Sequence, residues 1–193
     1  MVLEAGDRAG SCASASGAPT DAMRDASSES SRRPAAPADT IVVRTPVETD
    51  RERVRVLCRA MHARSVFGDM PFSDAKFDRA VDLLKNRSRQ SVGLVAELNG
   101  RVIGAAWASA GEYVFGEGEV LTTVHVIAVD VPFCGRLLSA RTFLRLVAAI
   151  RKWSATRGAK RLLVHVTTGR DLASTDRLLR AAGLELMGGG YVG

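Results

Sequence analysis

The residues best suited to chemistry lie between Val124 and Arg141, in the run Val-His-Val-Ile-Ala-Val-Asp-Val-Pro-Phe-Cys-Gly-Arg-Leu-Leu-Ser-Ala-Arg. His125 stands inside a β-branched stretch, and an imidazole there can take up or release a proton near neutral pH. Arg136 and Arg141 follow Gly135 and bring positive charge to one point of the chain. Between them, Asp130, Pro132 and Gly135 interrupt the strand pattern, and Leu137, Leu138, Leu144, Val147, Ile150 and Trp153 then recur at helical spacing. The pattern predicts a strand, a tight turn and a helix. The exposed N–H groups of such a helix start, with the dipole behind them, favour an anion such as a phosphate, and Gly135, Arg136 and Ser139 lie where it would sit. Cys134 is at the same point, where a helix N-terminus can lower a thiol pKa. No nucleophile signature surrounds it, so packing is the reading adopted.

Other chemistries find less support. Cys12, Cys58 and Cys134 are odd in number and far apart, and His62, His125 and His165 do not cluster, so neither a disulfide framework nor a metal site is expected. No apolar run reaches the ~20 residues of a membrane helix, and the N-terminus lacks the basic and apolar segments of a signal peptide. These features predict a cytoplasmic protein without a membrane partner. The formal net charge is +6, from 27 basic and 21 acidic residues. Four of those bases and six of those acids precede Thr40, so the remainder carries +8. That excess suits an anionic ligand. A nucleic-acid module is ranked last, because interleaved aromatics and a binding motif are missing.

The elements that must position these residues start at Thr40. Residues 1–39 are rich in Ala, Ser, Gly, Pro and Asp and cannot bury enough apolar surface to offset chain entropy, which predicts a disordered tail. Residues 40–193 form the one domain. A strand over 41–44 leads to a helix with Val54, Leu57, Cys58, Met61 and His62 on its apolar stripe. A second helix capped by Ser73 carries Phe77, Ala80, Val81 and Leu84. Strands over 91–98 and 101–108 flank Asn99-Gly100, a strong type I′ hairpin signal. Gly104, Ala105 and Ala106 leave room for another backbone or a ligand to approach. A third strand spans 119–129. The long helix ends at Gly158, a strand follows over 161–167, and a right-handed β-α-β crossover links it to the strand at Val124. A helix over 173–182 stops at Gly183, and 184–187 with 191–192 form a final extended pair.

This order, with Gly100-Arg-Val-Ile-Gly in the hairpin, Trp153 to Leu162 at the helix end and Leu178-Leu-Arg-Ala-Ala-Gly-Leu in the last helix, resembles the GNAT acyltransferase superfamily. The resemblance covers about residues 41–192. It implies an α/β (α+β) fold: a mixed, mostly antiparallel sheet with a central β-α-β crossover and helices on both faces. It also implies acyl-CoA, acetyl-CoA above all, as co-substrate, and direct transfer of the acyl group to an amine on a small molecule or a protein. A homodimer is compatible with it.

The resemblance further assigns residues. Ile127 and Val129 would hold the pantetheine arm through their backbones. Arg136-Leu137-Leu138-Ser139-Ala140-Arg141 is the nearest fit to the pyrophosphate loop, with Ser139 in place of its first Gly and Arg141 in place of its second. Asp171 takes the position of a polar residue beside the cofactor. The acidic Tyr frequent in the last helix falls on Leu179, and Tyr191 is its candidate replacement. Acyl transfer needs a base for the ammonium proton and an acid for the thiolate. His125 is the candidate base, with Glu112 and Glu119 as alternatives, and alternation places it on one face with Thr123 and Ile127. The altered loop also admits a second reading, a catalytically inactive GNAT-fold protein that binds CoA or regulates a partner.

Overall fold

The computed structural model describes residues 40–86, 89–166 and 172–188. Five strands form one sheet in sequence order: β1 (Val42–Arg44), β2 (Ser91–Leu98), β3 (Arg101–Glu112), β4 (Val120–Val129) and β5 (Arg161–Val164). The first four are antiparallel neighbours, and β5 joins β4 in parallel. The helices are α1 (Arg51–His62), α2 (Asp74–Asn86), α3 (Val131–Ala155) and α4 (Leu172–Ala181). α3 is the crossover between β4 and β5, as the sequence pattern predicts.

Each face of the sheet buries its own apolar set. On one side Leu146 and Ile150 of α3 pack against Ala96, Leu98, Ile103, Ala108 and Val124. On the other, Leu57 of α1 meets Val95, Val102, Ala105 and Ala128, with Val54, Met61 and Val126 beside them. Period-2 side chains on the strands and a 3.6-residue stripe on each helix produce this division. A buried hydrogen bond of 2.7 Å between the Thr122 and Ser154 hydroxyls ties β4 to α3. Gly104 is small because α3 presses on it. A Cβ there would lie 2.8 Å from Thr142 Cγ2 and 3.2 Å from Leu146 Cδ1, so the approach foreseen for a backbone or ligand is filled by helix side chains.

The hairpin turn has the form expected of Asn-Gly, with φ of 51° at Asn99 and 78° at Gly100. β3 runs four residues further than its sequence pattern, to Glu112, and Tyr113 N–H donates to the Glu119 carbonyl across the turn. Residues 184–188 are not a strand, and Leu186 and Met187 are largely exposed. Extended propensity alone does not make a strand without a paired neighbour. The second half of that expected pair, the tail before Thr40, and Asp171 and Tyr191 lie outside the described residues. No helix among those described is long and apolar enough to cross a membrane.

The chain entering α1 is pinned by Asp50, which is 7% exposed. Its carboxylate takes Arg44 Nη1 at 2.6 Å and Nη2 at 3.0 Å, and accepts the Val47 N–H at 2.8 Å. The Arg44 bonds hold the Asp50 carboxyl below the usual aspartate range, against the opposing push of burial. A carboxylate depressed in the folded state contributes stability above its unfolded pKa, and loses it as pH falls through the lower folded value. Asp50→Asn should therefore cost about 2 kcal/mol at pH 7, the scale of a hydrogen-bonded charge lost from a buried site. The variant should also lose less stability than wild type on acidification below about pH 4, where an unperturbed aspartate titrates. Parallel pH dependences in thermal melts would assign the acid sensitivity to another group.

Candidate functional site

The site grows from an irregularity in β4. Trp107 pairs with Val126 and Ala108 pairs with Val124, so His125 is an extra residue without a partner in the ladder. Such a bulge bends the strand and re-aims a side chain. It also resets the alternation. Val124 packs with the α3 cluster, Val126 and Ala128 with the α1 cluster, and Ile127 again with α3. The His125 ring lies against Trp107, at 4.8 Å between centroids, and its Nε2 is 2.7 Å from Ser109 Oγ. Trp107 and Ser109 alternate with Ala105 and so face α1. The expectation that His125 shares a face with Ile127 is thus corrected: one unpaired residue shifts the alternation after it, so Ile127 turns to the opposite side. It is not a core residue, because the side chain reaches the surface.

β4 loses a neighbour at the same point. Its parallel register with β5 runs from Leu121 opposite Arg161 to Val124 opposite Val164, and among the described residues it stops there. Residues 125–129 keep β3 on one side only. The Asp130 N–H donates to the Ile103 carbonyl of β3, so Ile127 and Val129, an odd number of residues away, direct their backbone groups to the other side, where β5 has parted. An extended, amide-bearing molecule could pair with that edge.

Beyond Val129 the chain makes one helical turn over residues 131–134 and then breaks at Gly135, with φ 62° and ψ −173°. A Cβ at Gly135 would meet nothing within 4 Å, so the glycine serves the left-handed φ and not a close approach. Helical geometry resumes at Arg136, which frees a fresh set of backbone N–H groups over the next turn. Arg136 and Leu137 are exposed there. Ser139 Oγ is buried and has no hydrogen-bond partner. Arg141 lines a surface cavity of about 440 Å³ with Thr40, Ile41, Leu144 and Arg145, away from the break.

The carboxylate nearest this turn is neutralised. Asp130 caps α3, is bonded by Arg53, and takes Arg101 Nη2 at 3.1 Å. Burial raises its pKa, but the two arginines outweigh it and hold the group below the usual range. The Cys134 thiol packs against the α3 core and its pKa is pushed up, first by burial and then by Asp130, as a packing residue's would be. Of the alternative bases, Glu119 is ion-paired with Lys160, and Glu112 is exposed at the end of β3. The His125 pKa is lowered, by partial burial and then by repulsion from His165, so its ring is neutral at pH 7. No group of residues suited to a metal ion occurs among those described.

Sequence reasoning did not single out Trp107, Ser109, Arg53 or Arg101. The pairing of β3 with β4 carries Trp107, Ser109 and Arg101 into place, and α1 brings Arg53, whose Nε donates to the Val102 carbonyl at 3.0 Å; the long turn between those strands leaves their register unspecified in the sequence.

No protein-family model matches the sequence, and no curated protein matches it. Solved structures do. An aminoglycoside N-acetyltransferase, AAC(6′)-Iy, in complex with CoA superposes with a TM-score of 0.61 at 19% identity, over 81% of this chain and 95% of that one. Glucosamine-6-phosphate N-acetyltransferase from Arabidopsis thaliana gives 0.59 at 14% identity, over 80% and 98%. A transcriptional regulator from Bacillus halodurans C-125 gives 0.62 at 17% identity, over 79% and 98%. The chain therefore has the fold seen in these proteins. It is the GNAT fold, with its mixed sheet and its crossover helix on β4.

Ser139 gives a test that needs no ligand. A buried hydroxyl without a partner costs about 1–3 kcal/mol, so Ser139→Ala should leave the melting temperature unchanged or raise it. A clear drop would show that the hydroxyl is bonded in solution.

Proposed function

We propose that the protein is an acyl-CoA-dependent N-acyltransferase, with acetyl-CoA as donor and an amine on a small molecule or protein as acceptor. The observation that carries this reading is the parting of β4 from β5 at His125, with the helix break at Gly135 lying at the far end of the same strand. About four residues, or ~13 Å of strand, separate His125 from Val129. The residues fit the co-substrate along that length. Ile127 and Val129 would pair with the pantetheine amides. The N–H groups after Gly135, those of Arg136 and Leu137 first, would hold the pyrophosphate, with Ser139 and Ala140 on the turn behind them and Arg136 adding charge. Asp171 is proposed to stand beside the cofactor. CoA in one of the similar structures supports the choice of ligand.

In the proposed reaction the acceptor reaches the thioester as a neutral amine after His125 takes its ammonium proton. Its nitrogen then attacks the carbonyl carbon. The C–N bond forms, the C–S bond breaks, and the thiolate leaves with a proton proposed to come from Tyr191. Transfer is proposed to be direct, and the raised pKa of Cys134 agrees with this by keeping that thiol protonated and weakly nucleophilic. A second reading, CoA binding without catalysis, is favoured by Arg141 and Ser139 in place of loop glycines, and it shares the first test below.

Isothermal titration of acetyl-CoA should give saturable binding, and Arg136→Glu should weaken it by ~10–100-fold, the scale of a lost charge-assisted contact plus repulsion. No binding to wild type would sink both readings. With an acceptor found by an amine screen, His125→Gln should lower turnover ~10²–10⁴-fold while acetyl-CoA affinity stays near wild type. Because the His125 pKa is depressed, wild-type activity should fall only as pH drops below the ordinary imidazole range, and the variant should lack that limb. An unaltered profile with near-normal turnover would remove His125 from the role.

A further inference from the structure

The pairing that places His125 also supplies what fixes its ring. Ser109 lies on β3 opposite Thr123, one register step beyond the bulge, and its Oγ is 2.7 Å from His125 Nε2. The Trp107 indole packs on the same imidazole at 4.8 Å, with the planes inclined at 43°. One contact blocks rotation of the ring plane, and the other pins one nitrogen. Only Nδ1 is left without a protein partner among the described residues.

We infer that Ser109 is a positioning residue: it accepts a hydrogen bond from His125 Nε2–H and so leaves the Nδ1 lone pair as the only proton acceptor of the ring. The inference rests on His125 being the base of the proposed reaction. A neutral imidazole has one N–H and one lone pair, and a fixed partner at one nitrogen decides which is which. Were Ser109 to donate instead, Nδ1 would carry the hydrogen and the ring would have nothing to offer an ammonium group. The His125–Ser109 pair is local to β3 and β4, and His165 is the one titratable group among those described that acts on the ring electrostatically. Ser109 and Thr123 are paired and share a face, so alternation keeps His125 on the face of Trp107 and Ser109, and the bulge after it turns Ile127 to the other side.

The test begins with a readout that needs no substrate. Two-bond ¹H–¹⁵N correlation spectra of labelled full-length protein report which ring nitrogen carries the hydrogen, with His125→Gln assigning the signal. Wild type should show the Nε2–H tautomer, Ser109→Ala a mixture or the Nδ1–H form, and Ser109→Thr the wild-type pattern. With an acceptor amine in hand, Ser109→Ala should lower kcat about tenfold, the scale of one hydrogen bond lost from a reacting group. It should also displace the acidic limb of the pH profile and leave KM for acetyl-CoA unchanged. A residue with only a structural role would change melting temperature and not the tautomer. Identical ring spectra in wild type and Ser109→Ala overturn the inference, as does an Nδ1–H wild type. A tautomer change in a protein that acetylates no amine upholds the positioning and rejects the acyltransferase reading, so the two failures are distinguishable.

Discussion

One unpaired residue in β4 sets the geometry on which the rest of the site depends. A strand in the interior of a sheet must satisfy two neighbours, and among the described residues β4 meets both only from Leu121 to Val124. The bulge at His125 bends it at the position where its register with β5 ends. Three consequences share that cause. The backbone of Ile127 and Val129 is turned to an edge that β5 no longer occupies. The imidazole stays on the α1 face beside Ser109 and Trp107, while Ile127 after it turns to the α3 face. The end of β4 is directed to the Asp130 cap, from which α3 starts.

Charge is partitioned to match. Arg51, Arg55 and Arg59, one turn apart on α1, face Asp74, Asp78 and Asp82 on α2, with contacts from 2.7 to 3.4 Å. Individually such exposed pairs contribute little. Their collective effect is on the field, because they neutralise the acids on the α1–α2 side. α3 carries Arg136, Arg141, Arg145, Arg151 and Lys152 with no acid along its length, and none of these forms an ion pair among the described residues. The excess of positive charge visible in the composition therefore resides on the helix that begins at the proposed phosphate site. Asp130, which would oppose an anion there, is held by Arg53 and Arg101.

Local signals were legible wherever one residue type answers one backbone demand. Asn99-Gly100, Gly158 and Gly183 all take the positive φ that their turn or helix end requires. The crossover helix and the mixed sheet follow from hydrophobic period, and the turn after Val129 from its breakers. What was not legible depends on partners distant in sequence. Strict alternation put His125 with Ile127, because a bulge leaves no mark in the sequence of the strand that contains it. Gly104 read as room for a ligand, because the side chains that fill the space, Thr142 and Leu146, belong to a helix whose rotation about its axis the sequence does not state. Leu184 to Met187 read as a strand, but extended propensity is realised only beside an edge that accepts it.

The departures from the expected loop also have a physical account. A glycine in a phosphate loop serves one of two needs: a backbone angle that other residues resist, or clearance for a ligand's close approach. In this chain the angle is supplied at Gly135. Once it has been made there, Ser139 lies inside a regular helix, and any residue can hold the backbone it needs. Clearance is the remaining question, and side-chain direction answers it. Ser139 buries its hydroxyl in the protein, and Arg141 lines a cavity with Thr40 and Leu144. Neither side chain covers the N–H groups that the break releases. Leu137, 68% exposed on the first turn after the break, is the larger intrusion, and it is apolar where a phosphate would prefer a donor. The selectivity of this turn among anions should therefore be governed by Leu137 more than by the two substitutions that the loop pattern makes conspicuous.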